Sequence, residues 1–176
     1  MSWVDPRATG SRPLSSPTAL LCDTGALLDY LVVSAPDHRA FREAIDRSRT
    51  RYIPGLVLAE VDYFLRKERR AMSALMRDLS RGAFTYAAPT LTILDRAMDI
   101  DRQYSDLGLG LVDASVVALA EELGVYRLAT RDVRHFSAVR LRGGKSFELV
   151  VQPRRPDRGA GEAFQRPHKA AHNPRP

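Results

Sequence analysis

Ala19-Leu20-Leu21-Cys22-Asp23-Thr24-Gly25-Ala26-Leu27-Leu28 reads as a short apolar strand that stops on a carboxylate and passes through Thr24-Gly25 into a helical run, Ala26 to Val33. An unalternating apolar run this short fits a strand buried on both faces, as in a parallel sheet. The same sentence structure returns late in the chain, where Val125 to Thr130 forms a strand and Arg131-Asp132 follows it. Between them, Pro36 opens a helix with Phe41, Ala44 and Ile45 at helical spacing, and Arg51 to Ile53 is a brief strand. Pro54 starts a helix with Val57, Leu58, Val61, Phe64 and Leu65 on one broad face. Ala71 to Arg81 continues helically, Ala83 to Ala87 is a short strand, and Pro89 starts a helix that runs to about Tyr104. Gly110 precedes a helix over Leu111 to Leu123, striped by Val116, Val117, Ala120 and Leu123 and closed by Gly124. Phe147 to Val151 is the last strand. Strands alternating with helices predict an α/β domain with a mostly parallel sheet covered on both faces, and such folds place their sites at the carboxyl ends of the strands.

That rule selects four acids. Asp23 and Asp132 each follow a strand, Asp113 lies in the first turn of the helix after Gly110, and Glu60 lies on the helix after the second strand. Each has a plainer reading: Asp23 as a helix cap, Asp113 as a complement to a helix dipole, Asp132 as an Asx turn, Glu60 as a solvated helix carboxylate. Together they mean more, because four carboxylates in one pocket raise one another's pKa values unless a cation neutralises them. Mg²⁺ or Mn²⁺ resolves that repulsion, and the same ion activates water and steadies a phosphoryl transition state. Asp62 is two residues from Glu60 and points elsewhere on its helix, Asp29 is expected to face solvent, and Asp106 is a loop residue near the pocket.

The 176 residues fit one domain with tails, and 44% hydrophobic composition supports a core. Net charge is +6, but residues 20–152 carry 19 basic against 18 acidic side chains, so the excess belongs to the ends. Eight of the 11 prolines also lie outside that segment. Residues 1–18 and 153–176 are therefore expected to be disordered extensions, the second basic and Pro-rich, and basicity alone says little about what the folded body binds. No stretch approaches the roughly 20 apolar residues of a membrane span, and Met1 to Pro17 lacks the apolar core of a signal peptide, so no membrane association and a cytoplasmic location are expected. The single Cys22 excludes an internal disulfide and reads as a buried strand residue.

The order Asp-Thr-Gly-Ala-Leu-Leu after an apolar strand, Leu-Ala-Glu-Val on a helix, Leu-Gly-Leu-Val-Asp-Ala-Ser-Val-Val-Ala-Leu-Ala-Glu, then Leu-Ala-Thr-Arg-Asp-Val-Arg-His-Phe resembles PIN-domain ribonucleases, and among them the VapC toxins of bacterial toxin–antitoxin pairs. The resemblance spans residues 19–151, its last two motifs being the most specific, and outlines a PIN-like domain over 19–152. It implies a three-layer fold with helices flanking the sheet, endonucleolytic RNA cleavage dependent on Mg²⁺ or Mn²⁺, a homodimer, and inhibition by a cognate VapB-like antitoxin. It also implies that Asp23, Glu60, Asp113 and Asp132 are the catalytic metal-binding acids, Asp132 often through water. The Pro-rich head and basic tail extend beyond the usual compact domain and leave the true start of the chain open.

Charge then suggests a mechanism in which a metal-activated water attacks phosphorus in line with the departing ribose oxygen. Thr24 and Thr130 are candidates to orient a carboxylate or a water, or to satisfy local backbone; Arg131, Arg134 and His135 are candidate RNA contacts, or a solvated turn. Asp-Thr-Gly is also the aspartic-protease motif, but that chemistry needs two such loops in a β-rich fold. A phosphoacceptor domain would need a lysine after a late strand, whereas Lys145 precedes the last one. A PIN-like module that binds RNA or protein without efficient cutting is the alternative from a different class, and loss of acids would be its mark. RNA selection is not legible, since every RNA offers the same phosphodiester.

Overall fold

The computed structural model describes residues 19–152, and the extensions expected over 1–18 and 153–176 lie outside the described residues. Strands β1 (Ala19–Cys22), β2 (Thr50–Pro54), β3 (Thr85–Ala87), β4 (Arg127–Ala129) and β5 (Glu148–Leu149) form one sheet in the order β3-β2-β1-β4-β5, with every pairing parallel. Helices α1 (Thr24–Leu31), α2 (His38–Asp46), α3 (Gly55–Phe64), α4 (Arg69–Ser80), α5 (Leu91–Gln103), α6 (Gly110–Leu123) and α7 (Val133–Ala138) complete the three-layer α/β arrangement.

β1 is central, and all four of its residues are buried, which is why its sequence is apolar without alternation. Leu21 registers with Tyr52 of β2 on one side and Leu128 of β4 on the other. The chain builds outward from β1 through β2 to β3, then returns to lay β4 and β5 on the opposite flank. The strand order thus reverses between β1 and β4. At such a switch point the flanking connections leave in opposite directions and open a crevice beyond the carboxyl ends of the strands.

α6 differs from its expected stripe. Every residue from Asp113 to Ala120 is buried, whereas Leu123 is 38% exposed. A helix apolar all round is enclosed rather than half-solvated, and α6 packs against α5, α3 and the sheet at once. One element was absent from the sequence reading: α7 has six residues and a single fully buried anchor, Phe136, which meets Phe147 edge to face at 5.6 Å. A helix under two turns long gives periodicity too little to act on. Elsewhere the expected elements are present with shifted limits: β2 gains Thr50 and Pro54 over the expected 51–53, α1 and α4 begin two residues earlier, and the strands at 83–87, 125–130 and 147–151 shrink to their paired residues.

Candidate metal centre

Asp23 leaves β1 at the switch point. Its N–H donates to Ala129 O at 2.9 Å, continuing the ladder one residue beyond the strand, and its side chain is buried to 1% exposure. Asp23 occupies the N-cap position of α1, yet its carboxylate makes no capping hydrogen bond. The Thr130 hydroxyl instead donates to Asp23 Oδ2 at 2.7 Å and accepts the Asp132 N–H at 2.9 Å. One buried hydroxyl thereby joins the end of β1 to the loop after β4.

A second threonine does the same for α3. Thr24 Oγ1 donates to Glu60 Oε2 at 2.6 Å, drawing the half-buried Glu60 towards the start of α1. Asp62, two positions on, pairs instead with Arg69 at 2.6 Å in a half-exposed contact, as its helical position required.

Asp113 is buried in the first turn of α6. Asp132 caps α7, its Oδ1 accepting the His135 N–H at 3.1 Å, a local role as a helix cap where the plainer reading had an Asx turn. That cap fixes His135 three residues later, where its ring reaches back over the carboxylate that caps it. His135 Nδ1 lies 2.8 Å from Asp132 Oδ2 and 3.9 Å from Asp113 Oδ2. Ligand atoms of Asp113, Asp132 and His135 all lie within 4.8 Å of one another. Asp23 and Glu60 adjoin this group through the two threonines rather than as members of that cluster.

Arg131, Arg134 and His135, grouped in the sequence as RNA contacts, occupy three different settings. Arg134 is exposed, whereas His135 turns inward to the acids. Arg131 lies across the start of α1, where a Cβ on Gly25 would come within 3.1 Å of its stem, and its guanidinium stands 3.4 Å from Asp29. Asp29 corrects the expectation that it faces solvent: it is 2% exposed, and Oδ2 has no hydrogen-bond partner among the described residues. Burial pushes its carboxyl up from the ordinary range, with Arg131 pulling the other way. Asp106, read as a loop residue near the pocket, is exposed on the short turn before α6. Cys22 is buried as expected, and burial pushes its thiol up to about 12.

What could hold a cation here is a set of hard oxygen donors with one imidazole. Sequence reasoning missed the inward turn of His135 and the pairing of Asp29. The first was within reach, since an Asp that caps a helix sets the residue three positions later against itself; the second depends on a partner 102 residues away, for which the sequence carried no sign.

Comparison with known proteins places the chain in a known family. The PIN domain family matches residues 20–141. The chain is 36% identical over 134 residues to Ribonuclease VapC26 of Mycobacterium tuberculosis, a span covering 74% of this chain and 99% of that protein. Among solved structures it is similar to M. tuberculosis VapC20, described as a sarcin-ricin loop cleaving toxin, with a TM-score of 0.59 and 16% identity over 65% of this chain and 91% of the other. It is also similar to VapBC2 from Rickettsia felis bound to a promoter DNA fragment, with a TM-score of 0.56 and 17% identity over 74% and 98%. A toxin–antitoxin complex from Klebsiella pneumoniae gives 0.55 and 22% over 68% and 92%. At these identities the structural likenesses speak for the fold, and the sequence match carries the relationship. The chain belongs to the PIN domain family, and its relationship within that family is to the VapC ribonucleases.

Proposed function

We propose that this protein is a metal-dependent endoribonuclease, the toxin of a VapBC-type pair. The observation that carries the reading is the gathering of Asp113 and Asp132 into one cluster at the switch point, with Asp23 tied to the same loop through Thr130. Carboxylate oxygens are the donors that Mg²⁺ and Mn²⁺ prefer, so the residues fit such an ion, and Asp23, Glu60, Asp113 and Asp132 would hold it. When bound, the ion neutralises the carboxylates and the phosphate oxygens and lowers the pKa of water.

The protein's own groups supply orientation and exclusion. Thr130 hydrogen-bonds Asp23, Thr24 hydrogen-bonds Glu60, and Asp132 is engaged as the cap of α7, contacts that would orient the donors before substrate arrives. Exposed Arg134, and Arg131 at the rim, offer positive charge to RNA phosphates beside that acidic floor. No covalent protein intermediate is required, and the buried thiol of Cys22 is unfit to form one.

The partners follow from the same chemistry. An acidic pocket admits a basic side chain, so a VapB-like antitoxin can block it by inserting Arg or Lys. The functional unit in this reading is a homodimer acting in the cytoplasm; among the described residues no helix is long and apolar enough to cross a membrane. The test is incubation of the purified protein with a pool of single-stranded and looped RNA. Cleavage should require Mg²⁺ or Mn²⁺ and stop on adding EDTA, and the neighbouring small protein should suppress it. An intact RNA pool in both ions would refute the reading.

A further inference from the structure

His135 is the non-acidic member of the Asp113–Asp132–His135 cluster, and nothing in the four-carboxylate scheme uses it. Its Nδ1 is buried, and although it sits 2.8 Å from Asp132 Oδ2 it is not aligned for a hydrogen bond to that oxygen. Its second neighbour, Asp113 Oδ2, is at 3.9 Å. These spacings suit a shared ion: donors about 2.1 Å from one octahedral cation lie about 3.0 Å apart when adjacent and about 4.2 Å apart when opposed. A ring nitrogen of His135 and one ligand oxygen from each carboxylate all lie within 4.8 Å of one another, close enough to share one ion. The Asp132 cap fixes the His135 backbone in the first turn of α7, and the fully buried Phe136 anchors that helix.

Resting on the metal-site reading above, we propose that His135 is itself a ligand of the bound cation, through Nδ1, and that it biases the site towards Mn²⁺ over Mg²⁺. The bias follows from donor chemistry. Mg²⁺ is hard and favours oxygen, while first-row divalent metals also accept imidazole nitrogen.

The full-length protein loaded with Mn²⁺ supplies the test, by electron spin-echo envelope modulation for nitrogen bound to the ion and by calorimetry for affinity. The expected result is ¹⁴N modulation in the wild type that changes to the ¹⁵N pattern when histidine is ¹⁵N-labelled. His135→Asp should keep a bound Mn²⁺ but lose the histidine signal, and should move the Mn²⁺-to-Mg²⁺ affinity ratio towards Mg²⁺. His135→Ala, folded by circular dichroism, should lose at least about 10-fold in Mn²⁺ affinity, the low end of what removing even a ligand's supporting partner costs. Bound Mn²⁺ with no histidine nitrogen signal would overturn the assignment and leave His135 as a group that merely steadies Asp132. Failure of the wild type to bind Mn²⁺ at all would overturn the metal-site reading with it.

Discussion

Thr130 has no charge and no chemistry of its own, yet its hydroxyl is shared between the Asp23 carboxylate and the Asp132 backbone, fully buried. Thr130→Val keeps the shape and removes both contacts, leaving a buried acceptor and a donor without their partner, which costs about 1–3 kcal/mol. The expected outcome is a lower Tm together with slower RNA cleavage, while Thr130→Ser restores both; a Val variant equal to wild type in both would show that the hydroxyl is idle. Asp29 makes a different prediction. Because burial holds its folded-state pKa above the unfolded one, the stability it contributes is complete below the unfolded value and is lost as pH rises through the folded value. Asp29→Asn does not titrate, so the Tm of wild type relative to that variant should increase as pH falls from about 7 to about 4. A difference that shrinks or stays level over that range would contradict the assignment. Both residues also mark how far single positions were legible. Asp23 and Asp113 were identifiable because a strand end and a helix start are themselves visible in sequence. The burial of Asp29 was not, because Arg131, which covers it, comes from the far end of the domain.

α7 shows the same limit at the scale of elements. Strand-then-helix alternation was readable wherever an element was long or uniformly apolar, as in β1 and α6, and failed where one aromatic residue anchors six positions. The consequence reached the site: without α7, His135 reads as a basic residue in a turn, whereas on α7 it folds back over its own cap. Asp132 therefore has two roles that mutation can separate. Asn caps a helix about as well as Asp, so Asp132→Asn should leave Tm nearly unchanged while slowing cleavage. Asp132→Ala should also lose the cap, about 1 kcal/mol. Thermal melts of the two variants decide it: equal losses of Tm would mean that the cap contributes nothing to α7. α6 carries the complementary lesson. Its expected stripe was too narrow because a sequence window cannot tell one covering layer from contact on several sides.

For the whole molecule, the topology does what no single element does. By reversing its strand order between β1 and β4, the sheet brings residues about a hundred positions apart to one edge, where Thr130 ties Asp23 to the loop that carries Asp132 of the Asp113–Asp132–His135 cluster. The strand and helix pattern made the parallel sheet and its carboxyl edge legible, since both follow from alternation; which loops touch there depended on tertiary contacts that a pattern does not contain. The central claim is that the acids at this edge act as one metal-holding unit that cuts RNA. Single-turnover cleavage of a fluorescent RNA pool in Mg²⁺ or Mn²⁺, with circular dichroism confirming that each variant is folded, tests it most directly. Asp23→Asn, Glu60→Gln and Asp113→Asn should each slow cleavage by at least about 100-fold, a loss of about 2.7 kcal/mol in transition-state stabilisation. Their combinations should slow it little further, because groups that hold one ion do not act additively. Asp62→Asn, whose carboxylate is occupied with Arg69 away from the cluster, should cut like wild type. Folded Asp23→Asn and Asp113→Asn that both cleave at the wild-type rate would contradict the claim.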